Sequence, residues 1–510
     1  MATNENTKSE GGRPDFNHGV AIEALPDGRL IEGEYGGKSV LVLRRGEDIR
    51  VFRGTCTHLG APLSEGSLSG DRLRCPWHQA CFDMQTGEAI AAPAFAALKR
   101  YGVRREGQII HLEAPQSVAP ARTNNAASAG FVIIGGGAAG FAAADMLCRH
   151  GAGSGVTLVS EDQSPPYERT LLTKDFLDGS WDDPRINLGA EPLDRRGVTL
   201  RLGAKAARVD RDRHVVRLAD GRELSYQKLL LAPGAAPRWP DFPGARLPQA
   251  HVLRTLADCR AIVAAAKEAR RVVILGSSFI GLEAAASLRT RGLEVDVVSQ
   301  DTAPMQRVFG PEISTAMVAT HRKNGVRLHL GRQIKNFDGA AVTLDDGANL
   351  PADFLLVGIG VTPRLDLAEE AGLSVEKGVV VDQFLRTSDP DIFAAGDIAA
   401  WPDPHSGQRL RVEHWNVAVR QGQVAAQNML GGEIPYRDVP FFWTRQFDFS
   451  PLYLGHATEW DEIKIDGDIE RRDCAVRYIR AGRVMASVMI GRERECLEER
   501  ERMEHALAPS

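Results

Sequence analysis

The chain is 510 residues long, 43% hydrophobic and 25% charged, with a formal net charge of −5. That length calls for three or four domains with enough apolar material for real cores, and the charge gives no support to a nucleic-acid or anionic-membrane partner. Seven cysteines are an odd count in so long a chain, and they read as ligands plus reduced thiols, not a disulfide framework, which makes the cytoplasm the expected location.

The opening residues, M-A-T-N-E-N-T-K-S-E-G-G-R-P, are polar and mixed in charge. They have no apolar core of the kind a secretory signal needs, and read as a flexible leader. From Val20 to about Val51 short alternating runs, S-V-L-V-L at 39–43 and I-R-V-F at 49–52, are broken by glycine-rich turns. This is the texture of a small antiparallel β domain.

C-T-H-L-G-A at 56–61 and C-P-W-H at 75–78 then fall on loops between strands. Each offers one thiol and one imidazole: Cys56 with His58, and Cys75 with His78. A zinc finger usually pairs Cys with Cys and His with His. One of each from two loops suits a [2Fe–2S] cluster in which one iron takes both thiolates and the other both imidazoles. Zinc, or a fold with no cluster, remains the alternative. With F-D-x-x-T-G-E at 82–88 and a loop at Pro93, residues 14–115 resemble the Rieske ferredoxin family. High-potential members of that family carry an extra cysteine in each half, where this chain has Ala61 and Trp77. The resemblance therefore implies a low-potential type, toward the bottom of roughly −150 to +300 mV. Cys81 reads as a buried free thiol.

Residues 114–129 are small, polar and proline-containing, as in a linker. F-V-I-I-G-G-G-A-A-G at 131–140 follows: an apolar strand, then Gly135-x-Gly137-x-x-Gly140, then a helical A-A-A-D-M-L. The apolar stretch ends at Asp145 and is too short to span a membrane. Glu161 stands at the end of the next strand, where a carboxylate accepts from a ribose hydroxyl while the helix N-terminus faces a pyrophosphate. The pattern returns at 271–281 as R-V-V-I-L-G-S-S-F-I-G, with Gly276, Ser278 and Gly281. V-D-V-V-S-Q-D at 295–301 answers V-T-L-V-S-E-D at 156–162, so Gln300, followed by Asp301, takes the place of Glu161. Two dinucleotide folds in one chain suggest two dinucleotides with redox chemistry between them. A glutamine neither strongly favours ribose hydroxyls nor repels a 2′-phosphate, so NADH is slightly preferred and NADPH stays open.

P-P-Y-E-R-T-L-L-T-K at 165–174, G-I-G-V-T-P at 358–363, I-F-A-A-G-D at 392–397, V-E-H-W at 412–415 and V-P-F-F-W-T-R-Q-F-D-F at 439–449 complete a second resemblance. From about residue 129 onward the chain resembles the FAD-dependent pyridine-nucleotide reductases, in the branch of apoptosis-inducing-factor-like proteins and oxygenase-coupled ferredoxin reductases. That resemblance implies that Gly135, Gly137, Gly140 and Glu161 hold the FAD pyrophosphate and ribose. Arg169 and Lys174 would reach the cofactor from their loop, Asp397 its ribityl-phosphate side, and Trp415 its ring, with Glu283 paired to Lys174. Lys174, Glu283 and Trp415 are the expected catalytic residues. Gly276, Gly281, Gln300, Asp301 and Gly360 are expected at the nicotinamide dinucleotide. Two local departures are A-P-G at 232–234 and Arg364 after Pro363. No redox thiol pair faces the flavin position, so a one-electron acceptor is expected in place of thiol chemistry.

The expected architecture is a multidomain chain: a small all-β Rieske domain (14–115), a linker (116–128), an α/β flavoprotein with FAD-binding parts at 129–251 and 377–434 around an NAD(P)-binding domain at 252–376, and an α+β C-terminal domain at 435–510. The expected activity passes electrons from NAD(P)H through FAD to the chain's own cluster and on to an external acceptor: an oxygenase component, a cytochrome or a small molecule. The alternative is a redox-sensing or scaffold flavoprotein with incidental turnover. The charged helix near the C-terminus reads as a solvated amphipathic helix or as a docking face, which leaves a homodimer open.

Overall fold

The computed structural model describes residues 13–116, 130–181, 183–189 and 191–506. Apart from Arg13, Pro14 and Gln116, the expected leader and the 116–128 linker lie outside these residues. The chain divides into two compact units, 1–121 and 122–510.

The first unit is all β. A six-stranded antiparallel sheet runs in the order Val20–Ala21, Ile109–Gln116, Arg100–Glu106, Asp48–Arg53, Lys38–Arg45, Leu30–Tyr35. A smaller sheet joins Ser67–Ser69, Arg72–Arg74, Cys81–Asp83 and Ala89–Ala91. Alternation along Lys38–Arg45 serves two cores at once. Leu41 and Leu43 pack with Phe52, Leu73, Phe82, Cys56 and Cys75, whereas Val40 and Val42 pack with Phe16, Val51 and Tyr101. Successive strand residues point to opposite faces, so a period of two produces this division.

The second unit holds two parallel five-stranded sheets of one design. The first runs Thr199–Leu202, Val156–Ser160, Phe131–Ile134, Lys228–Leu231, Ile392–Ala394. The second runs Arg327–Leu330, Glu294–Ser299, Arg271–Leu275, Phe354–Val357, Ala250–Val252. In each, the strand before the glycine turn is central and the next two strands follow on one side. The outermost strand on the other side comes from after the second fold in one case and from before it in the other, which nests the second fold inside the first. Each also carries a three-stranded antiparallel sheet, at 206–225 and at 334–351. The chain ends in an antiparallel five-stranded sheet, Phe441–Trp443, Leu452–Gly455, Arg483–Ile490, Asp473–Arg480, Glu462–Asp468. The helix Glu493–His505 buries Cys496 and Leu497.

Close backbone approach explains the glycines. A Cβ on Gly140 would overlap the Gly135 carbonyl, and one on Gly281 would overlap the Gly276 carbonyl, so both copies press helix onto turn in the same way. Gly422 does this between helices: the helix Trp415–Met429 crosses Ala138–Arg149 so closely that a Cβ there would overlap the Ala139 carbonyl. Backbone cannot yield as a side-chain tip can. Gly422→Ala should therefore destabilise the protein by about 1–3 kcal/mol through overpacking, although alanine is the better helix former by ~1 kcal/mol. Denaturant midpoints of the two proteins would show this, and an unchanged or higher midpoint would mean that the helices can separate at little cost.

Candidate functional site

In the first unit the two Cys/His loops are built alike. The Cys56 amide donates to the Ala61 carbonyl and the Gly60 amide to the Cys56 carbonyl, at 2.8 and 3.0 Å. The Cys75 amide donates to Ala80 and the Gln79 amide to Cys75, at 2.8 and 3.1 Å. Gly60 and Gln79, at matching positions, both have left-handed backbone, φ 81° and 62°. Glycine adopts that conformation freely; Gln79 adopts it while buried. The two loops bring like with like. Cys56 and Cys75 are buried with their thiols in contact, and the His58 and His78 rings lie 5.0 Å apart, nearly perpendicular, on the more exposed side. The Thr57 hydroxyl donates to the Ala96 carbonyl at 2.6 Å, tying on the loop that contains the cis Ala92–Pro93 bond. Cys81 sits buried in a strand, Ala61 is buried, and Trp77 is 39% exposed.

In the second unit a cavity of about 1410 Å³ opens along the first glycine turn. Gly135, Gly137, Glu161, Arg169, Lys174, Glu283, Asp397 and Trp415 all line it, while Gly140 lies behind in the turn–helix contact. Gly137 caps the helix Ala138–Arg149, and a Cβ placed on it would lie 3.7 Å from Arg169 Nη1. A helix N-terminus and a guanidinium thus face the same space. Arg254 joins them, donating from Nη2 to Asp397 Oδ2 at 2.7 Å. Burial, then the charge of Arg169, pull the Arg254 pKa below its ordinary value. Glu161 accepts from Arg364 at 2.6 Å, so the departure noted after Pro363 supplies a partner for the ribose-type carboxylate.

At the far end lies a buried ion pair. Lys174 Nζ stands 2.6 Å from Glu283 Oε2, with both side chains under one-tenth exposed. Thr173 and Thr444 donate to the same carboxylate at 2.5 and 2.6 Å. Glu283 arrives on the helix Phe279–Thr290, which begins at the second glycine turn. Phe279, Ile280 and Glu283 of this helix line the cavity of the first fold. One helix therefore serves both glycine motifs.

Gly276, Gly281, Gln300, Asp301 and Gly360 do not line that cavity. Gln300 and Asp301 are exposed at the end of the Glu294–Ser299 strand. Ser278 caps its helix and donates to the Gly358 carbonyl at 2.8 Å. Sequence reasoning passed over Arg254, His414, Trp443 and Thr444. His414 and Trp443 line the cavity and stood inside quoted motifs without a role. The His414 ring stacks on Phe442 at 4.0 Å, and burial, then His456, push its pKa down to about 4. Nothing in the local pattern marked Arg254.

Comparison with known proteins matches three regions of the chain. Residues 130–422 match the pyridine nucleotide-disulphide oxidoreductases, 19–102 the Rieske [2Fe-2S] domain, and 441–510 the reductase C-terminal domain. The chain belongs to the pyridine nucleotide-disulphide oxidoreductase family. It is 30% identical to apoptosis-inducing factor 3 of Homo sapiens over 91% of this chain and 80% of that one. It is 34% identical to the ferredoxin–NAD(+) reductase component of the anthranilate 1,2-dioxygenase system of Burkholderia cepacia, over 72% and 91%. Among solved structures it is similar to the covalent putidaredoxin reductase–putidaredoxin complex, with a TM-score of 0.70 and 29% identity over 74% of this chain and 94% of that one.

Its cofactors are FAD and a [2Fe–2S] cluster, and the residues present fit both. Arg169 Nε and Trp415 Nε1 are buried without a hydrogen-bond partner among the described residues, and both residues line the cavity. Two guanidiniums crowded beside a helix N-terminus suit a diphosphate. In the first unit the donors divide into a thiol pair and an imidazole pair, two for each iron. Among the described residues, no three His, Cys, Asp or Glu side chains group as a single ion would need. No described helix is long and apolar enough to cross a membrane.

Two outcomes follow from the buried titratable groups. Lys174→Met leaves the Glu283 carboxylate buried without its cation and should destabilise the protein by about 3–5 kcal/mol; a denaturant midpoint equal to the parent's would show that water reaches the pair. His321 is fully buried, and burial lowers its pKa to about 4 against a weaker opposing pull from Gln446. The unfolded ring, near 6.5, takes up a proton that the folded ring refuses. Its contribution is thus whole above about pH 6.5 and is lost as pH falls toward 4, by up to ~3 kcal/mol. Stability measured from pH 7 to 4.5 should fall less steeply in His321→Phe than in the parent; parallel curves would place the acid sensitivity elsewhere.

Proposed function

We propose that this chain is an NAD(P)H-dependent reductase fused to its own ferredoxin, carrying electrons from the nicotinamide to the Rieske centre and on to an external one-electron acceptor. Gly135, Gly137 and Arg169 would hold the FAD diphosphate, Glu161 the adenosine ribose, and Asp397 with Arg254 the ribityl side. Lys174, held by Glu283, would stand at the flavin ring, with Trp415 beside it. Gly276, Gly281, Gln300, Asp301 and Gly360 would receive the nicotinamide dinucleotide. Cys56 and Cys75 would bind one iron, His58 and His78 the other. Bound FAD supplies the conversion between a two-electron hydride donor and a one-electron iron–sulphur acceptor.

The observation that carries the reading is the shared helix Phe279–Thr290. It starts at the second glycine turn and lines the first cavity with Phe279, Ile280 and Glu283, which supports a reading in which the two dinucleotides would lie at one element. A tether within one chain raises the effective concentration of the cluster at the flavin. The slight preference for NADH rests on the exposed Gln300 and the anionic Asp301 next to it, neither of which attracts a 2′-phosphate, and on the NAD(+)-named relative. The acceptor is proposed to be an oxygenase component, since that relative works in a dioxygenase system, with a cytochrome or small molecule as the other outcomes. The domain limits, the cytoplasmic location and a homodimer remain part of this proposal.

An anaerobic titration with NADH tests the route. Flavin absorbance should bleach and the EPR signal of the reduced [2Fe–2S] centre should appear with it. Cys75→Ser should keep flavin bleaching while losing the cluster signal and the reduction of external acceptors. A fully iron-loaded parent whose cluster stays oxidised after the flavin is reduced would overturn the route and favour a redox-sensing flavoprotein.

A further inference from the structure

The Glu283 carboxylate also ends a second line of contacts, one that leads away from the cavity. Thr444 Oγ1 donates to Glu283 Oε1 at 2.6 Å. Gln446 Nε2 donates to Thr444 Oγ1 at 3.2 Å, and His321 Nε2 lies 3.1 Å from Gln446 Oε1. Thr444, Gln446 and His321 are all 0% exposed, and none lines the cavity. Thr444 and Gln446 belong to the C-terminal segment; His321 lies on the helix Gln306–Lys323 of the second dinucleotide fold.

Proton positions follow from the partners. The Thr444 hydroxyl spends its proton on the carboxylate, so it accepts from the Gln446 amide nitrogen. The Gln446 oxygen must then accept, which places the proton of the imidazole on His321 Nε2. His321 Nδ1 has no partner among the described residues. A proton there would be a buried donor without an acceptor, so the ring is neutral. Every donor in the line points toward Glu283. Lys174 and Thr173 occupy Oε2 from the cavity side, and this line holds Oε1 from the other. The carboxylate cannot turn without breaking a contact on both sides.

We propose that Thr444, Gln446 and His321 are positioning residues for the Lys174–Glu283 pair, fixing from behind the cavity where the ammonium stands against bound FAD. The proposal rests on FAD filling the cavity as described above. A cation held at the flavin ring favours the electron-rich reduced form. A line that fixes this cation therefore biases the flavin's redox equilibrium, although none of its members reaches the cavity.

The test uses purified, FAD-loaded full-length protein equilibrated with a redox dye. The readouts are the reduced-to-oxidised flavin ratio and a thermal melt of the same sample. Thr444→Val removes the hydroxyl at nearly constant volume and should lower that ratio by about three-fold or more, the part of a charged hydrogen bond that differs between redox states. Thr444→Ser keeps the hydroxyl and should return the parent ratio. Should the valine variant fail to fold, Gln446→Met removes the middle link and is read in the same way. An FAD-loaded variant that melts normally with an unchanged or higher ratio overturns the positioning role alone. A parent that binds no FAD would overturn the underlying site instead.

Discussion

The pair of Lys174 and Glu283 is the constraint around which the larger unit is arranged. Lys174 comes from a loop of the first dinucleotide fold, Glu283 from the first helix of the second, and Thr444 from the C-terminal sheet region. A carboxylate and an ammonium taken out of water must be matched closely, because either alone is costly to bury. Three segments distant in sequence must therefore meet at this point in one arrangement. A hydrophobic contact in the same place would tolerate sliding; a shared carboxylate with three donors does not.

The nested repeat makes this meeting possible. Both parallel sheets put the glycine turn at the C-terminal end of a central strand, where a dinucleotide binds. The outermost strand of the first sheet, Ile392–Ala394, is reached only after the whole second fold has been built. That connection fixes how the second fold enters the first. The helix after the second turn then begins at that turn and lines the cavity of the first fold with Phe279, Ile280 and Glu283.

The small β unit shows the same economy in its two Cys/His loops. Two loops with the same internal hydrogen bonds present one thiol and one imidazole each, and their pairing sorts sulfur inward and nitrogen outward. The thiols are buried and the imidazoles beside them are partly exposed. The left-handed Gln79 opposite Gly60 shows how strictly the loop shape is held, since a side chain there costs energy that a glycine avoids.

Much of this was legible in the residues. The Cys/His spacing, the two glycine turns and the strand after each are local patterns. Local patterns survive in a sequence because each needs only a few neighbouring residues to hold its shape. Lys174 and Glu283 were named through the family resemblance, Lys174 inside the quoted run 165–174 and Glu283 just after the second glycine turn. Arg254 and His321 could not. Arg254 matters because folding sets it beside Asp397, 143 residues away. His321 matters because Gln446, 125 residues away, ends at its ring. The sequence by itself determined the local patterns: the two Cys/His loops, the two glycine turns and the repeat. Only the tertiary structure decided which charges face the cavity and what holds them, because burial and hydrogen-bond partners are properties of distant segments brought together.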